Sequence, residues 1–293
     1  MFHGSIPALV TPFTERGEID FDAVRRLVNF HLQNGSDGLV VAGTTGESPV
    51  LTLEEFARLL DCVVEQAAGR IPVLAGTGSA STARAIEQTR LAAAHGAAAA
   101  LMVTPYYNRP PQRGLQAHYL SIAGETDLPI LLYNVPGRTG VDLQPATVAR
   151  LAEHPGIIGI KEAVPETARV DELLRCCGTD FIVLSGDDQS CLAAMKHGAR
   201  GVISVAANVA PDRMSRLCAA AARADWVAAE ALENALRELF GILMIESNPI
   251  PVKWLLFEMK LIGPALRLPL TQLDTPFRNQ ARDCLSALGL TET

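Results

Sequence analysis

Eight short apolar, β-branched runs, each followed by a turn and a helix-patterned stretch, predict an α/β fold: a (β/α)8 TIM barrel with a C-terminal helical appendage. The runs are 5-SIPALV-10, 38-GLVVAG-43, 71-IPVLAG-76, 99-AALMVT-104, 129-PILLYN-134, 157-IIGIK-161, 181-FIVLSG-186 and 201-GVISVA-206. They recur at roughly 25-residue intervals and are apolar on both faces, as parallel strands covered by helices must be. An open doubly wound sheet is the alternative, but eight such units close most simply into a barrel. The stretches 20-DFDAVRRLVNFHLQN-34, 52-TLEEFARLLDCVVEQA-67 and 81-STARAIEQTRLAAAHG-96 carry helical spacing. Asp20 and Ser81 stand at N-cap positions, where a side-chain oxygen can accept a free first-turn N–H. Gly35 and Gly96 stand where a left-handed residue ends a helix, so Asn34-Gly35-Ser36 reads as a turn and not as a glycosylation site. After residue 224 the strand pattern stops. The remaining segments, 225–244, 249–262 and 276–289, are helical in spacing only. This divides the chain into a catalytic barrel, 1–224, and a helical domain, 225–293, packed on it without a flexible linker.

The bulk properties exclude several function classes. The chain has 293 residues, is 48% hydrophobic and carries a net charge of -7 spread without long runs, which leaves no electrostatic footprint for nucleic acid. No apolar run approaches the ~20 residues a bilayer requires, and the opening MFHGSIPALVTPF lacks a basic start before a long apolar region. A cytoplasmic protein with no membrane partner is expected. Cys62, Cys176, Cys177, Cys191, Cys218 and Cys284 form no C-x-x-C pair and have no histidine at zinc-site spacing, which fits reduced thiols and no metal. The stretch 76-GTGSAST-82 lacks the third glycine of a dinucleotide fingerprint, so no nucleotide cofactor is expected.

In a barrel of this kind the active site forms at the C-terminal ends of the strands. The polar residues gather there: 43-GTTGES-48, 104-TPYYNRPP-111, 133-YNVPGRTG-140, Lys161 and 185-SGDD-188. Three of the four tyrosines, Tyr106, Tyr107 and Tyr133, fall in these segments. Lys161 is the most unusual of the set, because lysine is rarely buried and this one ends an apolar strand. It either snorkels to the surface, pairs with Glu162, or serves as an amine in a dry pocket. An amine attacks a carbonyl only when neutral. A free lysine with a pKa of ~10.4 is almost never so at pH 7, whereas desolvation toward ~7 leaves about half of it neutral. The Schiff base it then forms with a ketone withdraws electrons from the adjacent carbon, which can lose a proton and add to an aldehyde. A phenol assisted by a threonine hydroxyl can shuttle that proton. Backbone N–H groups of the Gly-Thr-Thr-Gly turn can hold one carboxylate, and Arg138 a second in bidentate fashion.

The motifs GTTGES (43–48), PYYNRP (105–110), YNVPGRTG (133–140), GIKEA (159–163), SGDD (185–188) and ESNPIPVKW (246–254), in this order and over essentially the whole chain, resemble the dihydrodipicolinate synthase family. That family belongs to the pyruvate-dependent class I aldolases, which include N-acetylneuraminate lyase. The resemblance implies condensation of pyruvate with L-aspartate 4-semialdehyde on the route to diaminopimelate and lysine, with neither metal nor organic cofactor. It makes Lys161 the Schiff-base nucleophile and Tyr133 the central proton donor and acceptor, linked through Thr44 to Tyr107 of a neighbouring subunit. Thr45 would hold the pyruvate carboxylate and Arg138 the semialdehyde carboxylate, with Gly186 and Ile203 lining the pocket through backbone carbonyls. The implied assembly is a homotetramer, a pair of tight dimers.

Two departures from the family pattern stand out. Members inhibited by lysine bind it through His, His, Asn and Glu where this chain has Leu53, Phe56, Ala80 and Arg84, while Ser48 and Tyr106 remain. Arg84 replaces the acid that would offset the desolvated ammonium of the effector, so weak or absent lysine feedback is expected. After GIKEA comes Val164-Pro165 instead of Thr/Ser-Gly, which stiffens this loop and bears on the second substrate. The rival readings are a sister aldolase acting on another aldehyde or sugar acid, which Arg138 argues against, and a silent pyruvate-binding protein. Against the latter stands the complete set of Lys161, Tyr133, Thr44 and Tyr107.

Overall fold

A computed structural model of the chain describes residues 2–290. Strands and helices alternate as β1 (Gly4–Pro7), α1 (Phe21–Gln33), β2 (Leu39–Val41), α2 (Leu53–Ala67), β3 (Val73–Gly76), α3 (Thr82–Ala94), β4 (Ala99–Val103), α4 (Gln112–Ala123), β5 (Ile130–Asn134), α5 (Pro136–Thr139), α6 (Pro145–Ala152), β6 (Ile157–Glu162), α7 (Thr167–Cys177), β7 (Ile182–Ser185), α8 (Cys191–Lys196), β8 (Gly201–Ser204) and α9 (Pro211–Ala222). Then come α10 (Trp226–Ile242), α11 (Ile250–Glu258) and α12 (Thr275–Ala287). The sheet order β1-β8-β7-β6-β5-β4-β3-β2 is parallel throughout. A parallel bridge from Ala8 to Val40, with the Leu9 N–H donating to the Val40 carbonyl at 2.9 Å, joins β1 to β2 and closes the ring. The (β/α)8 barrel expected from the sequence is therefore the fold.

Observed strands are shorter than the apolar runs. The run 38–43, for example, leaves the ladder after Val41, and Ala42 turns to φ +53° to begin the following loop. The caps follow the chemistry of their residues. Asp20 accepts from the Ala23 N–H at 2.9 Å, Ser81 from the Arg84 N–H at 3.5 Å, and Gly35 and Gly96 take φ of +75° and +79° beyond their helices. Helix α2 adds a reciprocal capping box between Thr52 and Glu55.

Alternation along the strands builds two apolar layers. Ile6, Val40, Leu74, Leu101, Leu131, Ile182, Leu184 and Ile203 fill the barrel interior. Their outward neighbours Leu39, Val73, Met102, Leu132, Val183 and Val202 pack under the helices. Helix α10 lies on α9, and α12 lies on α10 and α11. Leu236, Leu239, Phe240, Leu255, Leu256 and Leu285 join the outer layer, so these last helices share the barrel's core. No helix among the described residues is long and apolar enough to cross a membrane.

One strand departs from simple alternation. Ile130 of β5 stands opposite Ile157, but the next residue, Leu131, stands opposite Gly159, so Ile158 is an extra residue in β6. Before it Ile157 faces out; after it Ile160 faces out and Lys161 faces in. A bulge re-aims every side chain beyond it. Gly159 is the residue that permits the close passage here, since a Cβ would lie 2.4 Å from the Ile182 carbonyl oxygen.

Two histidines are sealed into this framework. Burial lowers His31 to a pKa of about 3 and His118 to about 4. In the unfolded chain each takes a proton below about 6.5, so each removes stability as the pH falls through the window between its two values. Thr82 Oγ1 lies 2.9 Å from His118 Nδ1, a contact an amide can keep. His118→Gln should therefore lose less stability than the unaltered chain between about pH 6.5 and 4.5. The difference should grow by about 1.4 kcal/mol per pH unit, read from urea midpoints at fixed protein concentration.

Candidate active site

The register of β5 and β6 sets Tyr133 beside Lys161 on the inner face. Both are buried, at 7% and 6% exposure, and the Lys161 Nζ stands 4.2 Å from the centre of the Tyr133 ring. No carboxylate pairs with Lys161 among the described residues. The snorkelling and Glu162-paired alternatives are thereby excluded: Glu162 lies on the outer side of the same strand. The face of an aromatic ring is a weak substitute for a counter-charge, so the amine faces the cavity without a carboxylate partner. Gly186 rests against its stem; a Cβ there would approach Lys161 Cε to 3.0 Å and Cγ to 3.1 Å.

A cavity of about 680 Å³ opens over the pair. Thr44 and Thr45 reach it from the turn after β2, Val135 and Arg138 from the β5 end, and Gly186, Asp187 and Asp188 from the β7 end. Helix α10 and the segment after it add Phe240, Leu243, Met244, Glu246, Ser247 and Asn248. Asp188 is half-buried and accepts from the Val205 and Ala206 N–H groups at 3.0 and 2.8 Å, which ties the β7 and β8 loops together; desolvation of the carboxylate raises its pKa.

The structure unites Lys161, Tyr133, Thr44, Thr45, Arg138 and Gly186 of the expected set and separates two others. Ile203 lies in the barrel interior and does not line the cavity. Tyr107 is 95% exposed, on the β4–α4 loop with φ +70°, and takes no part in the cavity of its own chain. A second cavity, of about 290 Å³, contains Ser48, Arg84 and Tyr106 and shares Thr44, Val135 and Arg138 with the first. Of the remaining expected effector residues, Leu53 and Ala80 lie outside its lining, and Phe56 is buried in the core beneath α2.

The Thr44-Thr45 turn is held from behind by residues to which sequence reasoning gave no role. Glu47 has φ +55° and a fully buried carboxylate, and Lys253 of α11 donates to its Oε1 at 2.5 Å. The same Nζ donates to the Thr11 carbonyl at 2.9 Å and sits 4.5 Å from the Phe13 ring centre. Glu47 Oε2 accepts from the Arg267 N–H at 3.1 Å. Thr11 Oγ1 donates to the Gly46 carbonyl at 2.7 Å, and Asn248 Nδ2 donates to Thr45 Oγ1 at 2.9 Å. Burial lowers the Lys253 pKa and the Glu47 carboxylate opposes that. The signal was present in the sequence: a lone lysine within the apolar run 250-IPVKWLLF-257, the same signature as Lys161.

Removing one partner of a buried pair strands the other. Lys253→Met should lower unfolding stability by about 3–5 kcal/mol, and adding Glu47→Gln should restore most of it. Urea unfolding of the single and double variants checks both.

Comparison with known proteins agrees with this geometry. The Dihydrodipicolinate synthetase family model matches residues 1–288. The chain is 51% identical over 290 residues to the 4-hydroxy-tetrahydrodipicolinate synthase of Methylococcus capsulatus, covering 99% of this chain and 100% of that one. It is 53% identical over 285 residues to that of Acidithiobacillus ferrooxidans, covering 97% and 98%. The crystal structure of the chloride-inhibited dihydrodipicolinate synthase from Acinetobacter baumannii, complexed with pyruvate, superposes with a TM-score of 0.97 at 46% identity, covering 99% of this chain and 100% of that one. The enzyme from Aquifex aeolicus also gives 0.97, at 44% identity and 99% coverage of each chain. A barrel whose mouth carries a buried, unpaired lysine facing a tyrosine, matched along its full length by these enzymes, belongs to the dihydrodipicolinate synthetase family of lyases.

Proposed function

We propose that this chain is a 4-hydroxy-tetrahydrodipicolinate synthase that condenses pyruvate with L-aspartate 4-semialdehyde through a Schiff base on Lys161. The observation that carries this reading is the buried Lys161–Tyr133 pair at 4.2 Å, in a cavity that also holds Thr44, Thr45 and Arg138. In this mechanism the neutral Nζ attacks the pyruvate ketone, water leaves, and the iminium draws electrons from the methyl carbon. In this reading Tyr133 takes and returns protons at that carbon, with the Thr44 hydroxyl assisting from the same cavity. Thr45 and the N–H groups of its turn hold the pyruvate carboxylate. Arg138, whose guanidinium has no acceptor among the described residues, receives the semialdehyde carboxylate.

In this reading the barrel, residues 1–224, carries the covalent chemistry, and the helical domain 225–293 closes one wall of the cavity. Tyr107, exposed in its own chain, completes the proton relay of a neighbour, in a homotetramer built as a pair of tight dimers. Gly186 contributes a backbone carbonyl. The cycle uses no metal or organic cofactor and runs in the cytoplasm. Arg84, exposed at the second cavity, repels the ammonium of lysine, so feedback is weak or absent.

The test is consumption of pyruvate plus L-aspartate 4-semialdehyde, coupled to the next reductase and followed by loss of nicotinamide absorbance. Turnover is expected, with Lys161→Ala abolishing the borohydride-trapped pyruvate adduct while the fold persists. A trapped adduct on another lysine overturns the assignment, and turnover of a different aldehyde in place of the semialdehyde overturns the substrate pair. Tyr107→Phe should lower kcat by about 10- to 100-fold with little change in pyruvate affinity. L-Lysine at submillimolar concentration should leave the rate unchanged.

A further inference from the structure

The two residues that follow the reacting pair form a second pair on the other side of the barrel wall. Asn134 stands opposite Glu162, one step beyond Tyr133 opposite Lys161. Asn134 is fully buried and Glu162 is 3% exposed. The Asn134 amide donates to Glu162 Oε1 and Oε2 at 3.0 and 3.1 Å and to Asp142 Oδ1 at 2.8 Å. Its own carbonyl oxygen accepts from the Leu143 N–H at 2.9 Å. Arg169 of α7 donates to Asp142 Oδ2 at 2.7 Å, and its charge also reaches Glu162. Glu162 Oε1 accepts from the Val164 N–H at 2.9 Å, fixing the first residue of the Val164-Pro165 loop. Backbone bonds extend the grip: the Ala163 N–H donates to the Asn134 carbonyl at 3.0 Å, and the Gly186 N–H to the Glu162 carbonyl at 2.6 Å.

This network has one cation and two carboxylates, enclosed between β5, β6, α7 and the segment before α6. It ties together the strand ends and loops that carry Lys161, Arg138 and Gly186, yet none of the side chains of Asn134, Asp142, Glu162 and Arg169 lines the cavity. We propose that Asn134 and Glu162 are positioning residues for the reaction, locking the ends of β5 and β6 from behind so that Lys161 and Tyr133 stay face to face. The proposal rests on the reading of Lys161 as the Schiff-base lysine. A hydrogen bond between side chains on adjacent strands fixes their register at that step, and register sets where the two inward side chains meet. Displacements of about 1 Å at a reacting pair cost up to about 100-fold in rate, so the network acts on turnover more than on binding.

Burial pushes the Glu162 carboxyl up to about 7, with Asp142 adding to the rise and Arg169 opposing it. Protonation below that value converts one acceptor into a donor facing the Asn134 amide, and so loosens the clasp. Glu162→Gln keeps a carbonyl oxygen for the Val164 N–H but turns an amide donor toward Asn134, as the protonated acid does, and does not titrate. Glu162→Leu keeps neither.

The experiment compares the unaltered enzyme, Glu162→Gln, Glu162→Leu and Asn134→Ser. It measures the rate of borohydride trapping of pyruvate at Lys161 by mass spectrometry, kcat and KM across pH, and the thermal midpoint. Glu162→Leu and Asn134→Ser should slow trapping and kcat by about 10- to 100-fold, with KM for pyruvate moving far less. Glu162→Gln should hold kcat near the acid-side rate of the unaltered enzyme at every pH and lose the rise in kcat through about pH 7. Unaltered trapping and kcat in folded Glu162→Leu overturn the proposal. If that variant does not fold, Asn134→Ser decides in the same way. A missing adduct on Lys161 in the unaltered enzyme overturns the reading of the lysine itself and not the clasp.

Discussion

A side chain on a parallel barrel strand points either into the barrel or out toward the helices, and on β6 the choice is made by one unpaired residue. Without Ile158 as the extra residue, the alternation running from Ile157 would place Lys161 outside, under the helices, and Glu162 within. The bulge exchanges them. The amine then arrives beside Tyr133 and the carboxylate beside Asn134, so a single backbone irregularity decides which member of a neighbouring Lys-Glu couple faces the cavity.

The contrast between the two buried lysines follows from their surroundings. Lys253 has a carboxylate at 2.5 Å and a carbonyl oxygen at 2.9 Å, and its charge is fully compensated. Lys161 has an aromatic face and an open cavity. One is bonded on two sides and shapes a turn; the other faces the cavity. The last helices enter the site through the first of these, because Lys253 and Asn248 clamp the turn that presents Thr44 and Thr45. They are structural partners of the barrel mouth as well as one wall of its cavity.

Much of this was legible in the sequence. The eight runs, the caps at Asp20 and Ser81, and the polar clusters at the strand ends all follow from local chemistry, and they place Lys161, Tyr133, Thr44, Thr45 and Arg138 at one mouth. What could not be read is whatever depends on register or on long-range pairing. Nothing in 157-IIGIK-161 says which isoleucine is unpaired, since every candidate is equally apolar. The Glu47–Lys253 and Asn134–Glu162 pairs join residues distant in sequence, and only closure of the barrel brings them together. Phe56 sits on the inner face of α2 because the helical period puts it there with Leu59, Leu60 and Val63, a position at odds with an effector site open to solvent.

The sealing of Lys253 behind Glu47 has a consequence for covalent labelling. The chain contains only four lysines, Lys161, Lys196, Lys253 and Lys260. With the Lys253 side chain 1% exposed and its nitrogen bonded on two sides, an amine-directed reagent cannot reach it without unfolding α11 from the barrel. Lys196 is held against Glu230 at the surface, far from any cavity that would concentrate a small keto acid. A carbonyl probe therefore meets only two other lysines, Lys196 and Lys260, both at the surface and neither lining the cavity. An adduct on Lys161 would block cleavage there and remain within the single tryptic peptide 151–169, so the chain reports its own site of modification.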